Sequence, residues 1–93
     1  MLLEGRNAIV SGGSQGIGTA TSLEFAREGA NVCVLYRKHE EEAKKIINEI
    51  KGMGRKAIAL QCDIAVFAEA EKVVKTALAE FGRIDIMVNN AGM

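Results

Sequence analysis

Short apolar runs alternate with longer amphipathic stretches along the whole chain. The runs are Ala8-Ile9-Val10, Val32-Cys33-Val34-Leu35, Ala57-Ile58-Ala59-Leu60 and Ile84-Asp85-Ile86-Met87-Val88. Three of them lack the in/out alternation of a half-wet strand and read as strands buried on both faces of a parallel sheet. Between them the spacing turns helical. Ala43, Ile46, Ile47, Ile50 and Met53 recur at three and four residues, with Glu40/Lys44 and Glu41/Lys45 as outward pairs. Phe67, Ala70, Val73, Val74, Ala77, Leu78 and Phe81 form a second stripe, and Gly82 follows as its C-terminal cap. The stretch from Gly16 to Glu28 is less periodic but offers Ile17, Ala20, Leu23, Phe25 and Ala26. Met53 and Met87 read as packing residues.

The resulting order, β-α-β-α-β-α-β, predicts an α/β fold in which right-handed crossovers build a parallel sheet with helices on both faces. If the first three strands step outward and the fourth returns beside the first, the strand order is 3-2-1-4, a partial Rossmann fold, half of a doubly wound sheet. The switch point then falls between the first and fourth strands. Ligands in such sheets bind outside the carboxyl ends of the strands at that point, so the segments 11–18 and 89–92 are expected to share a crevice.

Composition narrows the possibilities. Ninety-three residues (93) allow one domain, and 48% hydrophobic against 26% charged is ordinary for a packed globular chain. Twelve basic residues balance twelve acidic ones (12 each), so no basic excess exists to bind nucleic acid or an anionic membrane. No apolar stretch is long enough to span a bilayer, and no signal-peptide core opens the chain. Cys33 and Cys62 sit in apolar surroundings without metal-ligand spacing, which points away from a metal site or a disulfide framework and toward a cytoplasmic, reducing location. His39 stands alone in a charged run and reads as a surface or capping residue, and Glu40 to Glu42 as the acidic first turn of a helix.

The chemistry-bearing segment is Ser11-Gly12-Gly13-Ser14-Gln15-Gly16-Ile17-Gly18, between the first strand and the first helix. Gly12 permits a tight exit from the strand. Gly16 and Gly18 let a pyrophosphate and the neighbouring strand approach the backbone without Cβ interference, and the helix N-terminus offers N–H groups and positive dipole to phosphates. The spacing G-x-x-x-G-x-G matches neither G-x-G-x-x-G nor a Walker loop.

Together with Phe81-Gly82-Arg83-Ile84-Asp85-Ile86-Met87-Val88-Asn89-Asn90-Ala91-Gly92, this loop resembles the classical short-chain dehydrogenase/reductase family over essentially all 93 residues. Ser11 stands where the family's T-G-x-x-x-G-I-G loop has threonine. The wording is similar to β-ketoacyl carrier-protein reductases and sugar-dehydrogenase-like members. The resemblance implies that Gly12, Ser14, Gln15, Gly16, Ile17 and Gly18 line the phosphates of a nicotinamide dinucleotide. It also implies that Asp63 accepts a hydrogen bond from the adenine amino group with Ile64 against the ring, and that Asn90, Ala91 and Gly92 contact the ribose nearer the nicotinamide. Asn89 would tie neighbouring strands. Ala65 departs from the serine or threonine that often starts the next helix, which leaves that helix poorly capped.

The second strand ends Tyr36-Arg37-Lys38. An NAD-specific site normally offers a carboxylate here to the ribose 2′-hydroxyl, whereas an arginine accommodates a 2′-phosphate. Tyr36 occupies the acidic position, so Arg37 favours NADP(H) over NAD(H), with Lys38 as a weaker point charge. Gln15 tempers this, because many NADP-preferring members carry a basic residue there. Catalysis in the family needs a serine and a Tyr-x-x-x-Lys pair; the only tyrosine is Tyr36, whose fourth neighbour is Glu40. The expectation is therefore residues 1–93 as the cofactor-binding, N-terminal portion of a 3-oxoacyl reductase-like enzyme, truncated before its catalytic portion and inactive alone. A non-catalytic nucleotide-binding or structural module is the alternative. Self-association, or a complementary polypeptide, through strand 84–88 completes the expected partners.

Overall fold

A computed structural model describes residues 2–12, 16–63 and 66–89. Among them run β1 (Asn7–Ser11), α1 (Gly16–Arg27), β2 (Asn31–Tyr36), α2 (Glu40–Gly52), β3 (Ala57–Gln61), α3 (Phe67–Phe81) and β4 (Ile86–Asn89). The sheet is parallel throughout with order β3-β2-β1-β4, the doubly wound half expected from the alternation of elements.

Each face of the sheet has its own core. Val10, Val32, Val34 and Ala57 point to one side and pack with Ala26 of α1 and Ala43, Ile46, Ile47 and Ile50 of α2. Ile9, Cys33 and Leu35 point to the other and pack with Val73 and Ala77 of α3. The central strands β1 and β2 are accordingly buried nearly throughout, as their unbroken apolar runs require. On β3, Ile58, Ala59 and Leu60 are only half-buried, because an edge strand has a neighbour on one side alone.

The stripes differ from expectation in three places. Leu78 is 41% exposed although it lies on the apolar stripe of α3, of which Val73 and Ala77 alone are buried among the described side chains. The side chain of Phe67 lies outside the described residues. Ile17 and Ala20 of α1 are exposed, and that helix packs instead through Gly18, Ser22 and Ala26, small residues four apart that let its backbone lie close to the sheet. Met87 is 52% exposed, so it is no core packing residue.

The fourth strand begins at Ile86, not Ile84, and Asp85 is the reason. Its carboxylate accepts the Asn7 N–H at 2.9 Å while its own N–H donates to the Asn7 carbonyl at 2.8 Å, and Arg83 pairs with it at 3.1 Å. Buried Asn7 extends the clamp: its amide donates to the Arg83 carbonyl at 3.0 Å and its side-chain oxygen accepts from Asn31 at 2.8 Å. Asn31 in turn accepts the Lys56 N–H at 2.9 Å. One polar chain thus ties the starts of all the strands and holds their register. The Asn7 N–H, ahead of Arg83 and Arg6, holds the Asp85 carboxyl below the usual carboxylate range. At its other end α3 stops where the sequence placed the cap, with the Gly82 N–H donating to the Leu78 carbonyl at 2.8 Å.

Candidate functional site

The four strands end at one edge of the sheet. Ser11, the last residue of β1, stands in register with Leu35 of β2 on one side and Asn89 of β4 on the other, so the glycine loop leaves the sheet at the switch point. Gly12 turns there with φ 71°, its N–H donating to the Leu35 carbonyl at 3.0 Å. Gly16 opens α1 with φ 45°, and a Cβ built on it would meet nothing within 4 Å. A left-handed backbone at both residues calls for glycine, and the open space leaves the helix end approachable.

The electrostatics single out α1. Its first turn contains no acidic residue, whereas α2 opens on Glu40, Glu41 and Glu42 and α3 carries Glu69 in its first turn. The latter two helices therefore neutralise their own positive ends. The N-terminus of α1 is left to whatever anion sits at the switch point. A dinucleotide pyrophosphate fits this combination of glycine turns, open space and uncompensated dipole.

Two further strand ends bring the remaining described candidates. Arg37 follows β2 and is exposed. Its carbonyl accepts from the Gln61 amide at 3.1 Å, and the Tyr36 carbonyl accepts the Cys62 N–H at 2.8 Å, so the backbone that carries Arg37 is held from β3. The Tyr36 hydroxyl donates to Glu40 at 3.1 Å, and Lys44 pairs with the same carboxylate at 3.4 Å. These two groups, Tyr36 first, hold the Glu40 carboxyl below its ordinary range. Asp63, two positions past β3, is half-buried; its N–H donates to a Glu69 carboxylate oxygen at 3.1 Å and its carbonyl accepts the Val66 N–H at 2.9 Å.

Gly12, Gly16, Ile17, Gly18, Arg37 and Asp63 are thus carried by the carboxyl ends of β1, β2 and β3 or by the first turn of α1. Ile17 is 65% exposed at that turn, available to a ligand rather than spent on the core. Ser14, Gln15, Ile64, Asn90, Ala91 and Gly92 lie outside the described residues. Sequence reading passed over Gln61 and Glu69, which hold the backbone under Arg37 and Asp63. Glu69 had a signal, since a glutamate three residues into a helix is a capping-box position. His39 is exposed at the start of α2, with no side-chain cap bond.

Neither of the two cysteines is an activated nucleophile. Burial pushes the Cys33 thiol up to about 12, and burial followed by the nearby Glu69 and Asp63 carboxylates raises Cys62 as well. Among the described residues no group of three or more His, Cys, Asp or Glu side chains is placed to hold a metal ion, and no helix is long and apolar enough to cross a membrane.

A short chain dehydrogenase family model matches residues 6–93. The chain is 46% identical over 91 residues to short chain dehydrogenase mdpC of Emericella nidulans, covering 98% of this chain and 34% of that protein. It is 38% identical over 88 residues to the 3-oxoacyl-(acyl-carrier-protein) reductase FabG of Staphylococcus epidermidis, covering 95% of this chain and 36% of the relative. Among solved structures, a short chain dehydrogenase from Burkholderia cenocepacia in complex with NADP superposes with a TM-score of 0.97 at 41% identity, over 100% of this chain and 38% of that one. The chain therefore spans little more than a third of the length of the proteins it matches.

Proposed function

The chain belongs to the short-chain dehydrogenase family, and from that premise we propose that it is the cofactor-binding, N-terminal part of an NADP-preferring oxidoreductase acting on a carbonyl or hydroxyl substrate, 3-oxoacyl reductase-like in character. The observation that carries this reading is the glycine turn at Gly12 and Gly16, set at the β1/β4 switch point against a helix end without a carboxylate of its own. In this reading Gly12, Ser14, Gln15, Gly16, Ile17 and Gly18 surround the phosphates. Asp63 takes the adenine amino group, with Ile64 against the ring, and Asn90, Ala91 and Gly92 receive the inner ribose. Arg37 takes the 2′-phosphate, with Tyr36 in place of the carboxylate that would select a free 2′-hydroxyl. The bound dinucleotide supplies or accepts the hydride.

What these residues do is bind and orient. A proton donor for the substrate oxygen is a separate requirement, and the one tyrosine, Tyr36, hydrogen-bonds Glu40 and has no lysine four residues on. We therefore assign the chain no turnover of its own, and expect its partner to be the dinucleotide together with a second polypeptide or a second copy meeting β4. The free, buried cysteines suit a cytoplasmic setting.

Calorimetric titration of the 93-residue chain with NADPH and NADH tests the reading. Binding of both with NADPH tighter is expected, and no heat with either overturns it. An assay of NADPH oxidation with small ketones and β-ketoesters is expected to show no turnover, and steady turnover in the pure chain would refute the division of labour.

A further inference from the structure

The start of α3 is capped in an unusual way. Val66 has the extended backbone of an N-cap residue, φ −98° and ψ 108°, but its side chain carries no acceptor and makes no cap bond. In an ordinary capping box the glutamate three residues into the helix reaches back to the N–H of the cap residue itself. Here the Val66 N–H is already donated to the Asp63 carbonyl at 2.9 Å, and Glu69 reaches further, to the Asp63 N–H at 3.1 Å. Both backbone polar groups of Asp63 are therefore bound to the first turn of α3. One residue upstream, the Cys62 N–H is bound to the Tyr36 carbonyl at 2.8 Å, which anchors the other side to β2.

We infer that Glu69 is a positioning residue for dinucleotide recognition: by accepting the Asp63 N–H it fixes the Asp63 backbone so that the Asp63 carboxylate is presented to the adenine amino group. The inference rests on the reading of Asp63 proposed above. A carboxylate on a backbone fixed from both sides meets its ligand without first paying to order the loop. The charge pattern agrees with an amino group as ligand. Asp63 and Glu69 both lie close enough to the Cys62 thiol to push its pKa up, and a region bearing two carboxylates favours a donor over a carbonyl oxygen. Glu69 touches no ligand in this scheme and acts through Asp63.

The test uses the 93-residue chain and two probes, NADPH and its hypoxanthine analogue, in which a carbonyl oxygen replaces the 6-amino group. Glu69→Ala is expected to weaken NADPH about fivefold while leaving the analogue unchanged, less than the roughly tenfold or more lost with a direct charge-assisted contact because Glu69 acts through Asp63. Glu69→Gln, whose amide oxygen accepts the same N–H, is expected to retain the preference. Glu69→Asp, with the same charge and a shorter reach, is expected to lose it and serves if the alanine variant does not fold. Asp63→Ala separates the two readings. If it abolishes the adenine preference while Glu69→Ala and Glu69→Asp keep it, the positioning role is wrong and the Asp63 reading stands. If Asp63→Ala also keeps the preference, the Asp63 reading fails and the role of Glu69 falls with it. A Glu69→Ala variant that melts lower and weakens both probes equally shows a structural role only and overturns the inference.

Discussion

Arg37 stands exposed beyond β2 on a backbone held by Gln61 and Cys62, and no carboxylate occupies the position before it. One charge-assisted contact contributes roughly 1.5–3 kcal/mol, about tenfold or more in affinity. Arg37→Ala is therefore expected to lower the NADP/NAD affinity ratio by about tenfold in paired titrations, and an unchanged ratio would remove Arg37 from the site. At the opposite end of the sheet, Asp85 links the proton to the fold. Its carboxyl titrates below the ordinary value of 3.8, chiefly because it accepts the Asn7 N–H. A depressed folded pKa means that the unfolded state binds the proton more readily. The stabilisation from Asp85 is thus present above about pH 4 and is lost as pH falls through its lower folded value. Thermal melts of Asp85→Asn between about pH 2 and 7 should show a lower midpoint near neutrality and a smaller acid-induced drop than the parent; parallel pH profiles would contradict the linkage.

Neither α2 nor α3 has a side-chain cap bond, and α3 starts from an aliphatic residue. Val66 sits at its N-cap, 42% exposed, with cap-compatible backbone and no side-chain acceptor. Val66→Ser places a hydroxyl where the N–H groups of the first turn can donate to it, at little cost in buried surface. The expected gain is about 1 kcal/mol, within the range measured for N-cap exchanges. Urea denaturation should show a higher midpoint at unchanged slope. A lower midpoint would mean that the Glu69 to Asp63 bond already serves as the cap and that the hydroxyl disturbs it. In α2 the three leading glutamates match the helix dipole and the apolar positions Ala43, Ile46, Ile47 and Ile50 are all buried, so charge placement and periodicity agree with its packing. In α1 the rules conflict, since Ile17 is exposed while Gly18 is buried. The conflict sits where the ligand is expected.

For the molecule as a whole, the two faces of the sheet are unequally covered. Both α1 and α2 pack on one face, as right-handed crossovers in the order 3-2-1-4 demand, and α3 is the helix packed on the other. Met87, in register with Ile9 on the α3 side, is left 52% exposed. Among the described residues β4 pairs with β1 alone, and Ile86–Asn89 contains no lysine or proline to blunt an edge. A chain of this size buries about 60–65% of its unfolded surface, which leaves little margin for such an edge. We expect the isolated chain to associate with rising concentration in sedimentation velocity, and Met87→Lys to shift it toward monomer. A sharply melting monomer at high concentration would refute the edge as the contact.

The order of elements, the helix stripe of α2, the Gly82 cap and the glycine loop were all legible from the sequence, because each depends on spacing over a few residues and on the backbone freedom of glycine. Strand order followed as well, since the handedness of crossovers leaves few arrangements of four strands. What only the tertiary structure decided depends on partners distant along the chain. Asp85, which lies inside the run 84–88, is an acceptor for Asn7, 78 positions away, and that contact moves the start of β4 to Ile86. Leu78 and Met87 satisfy helix and strand periodicity, but periodicity names the face a side chain points to and is silent on whether anything covers that face. Glu69 occupies a capping-box position by spacing; that its carboxylate accepts the Asp63 N–H, six positions back, only the folded chain shows.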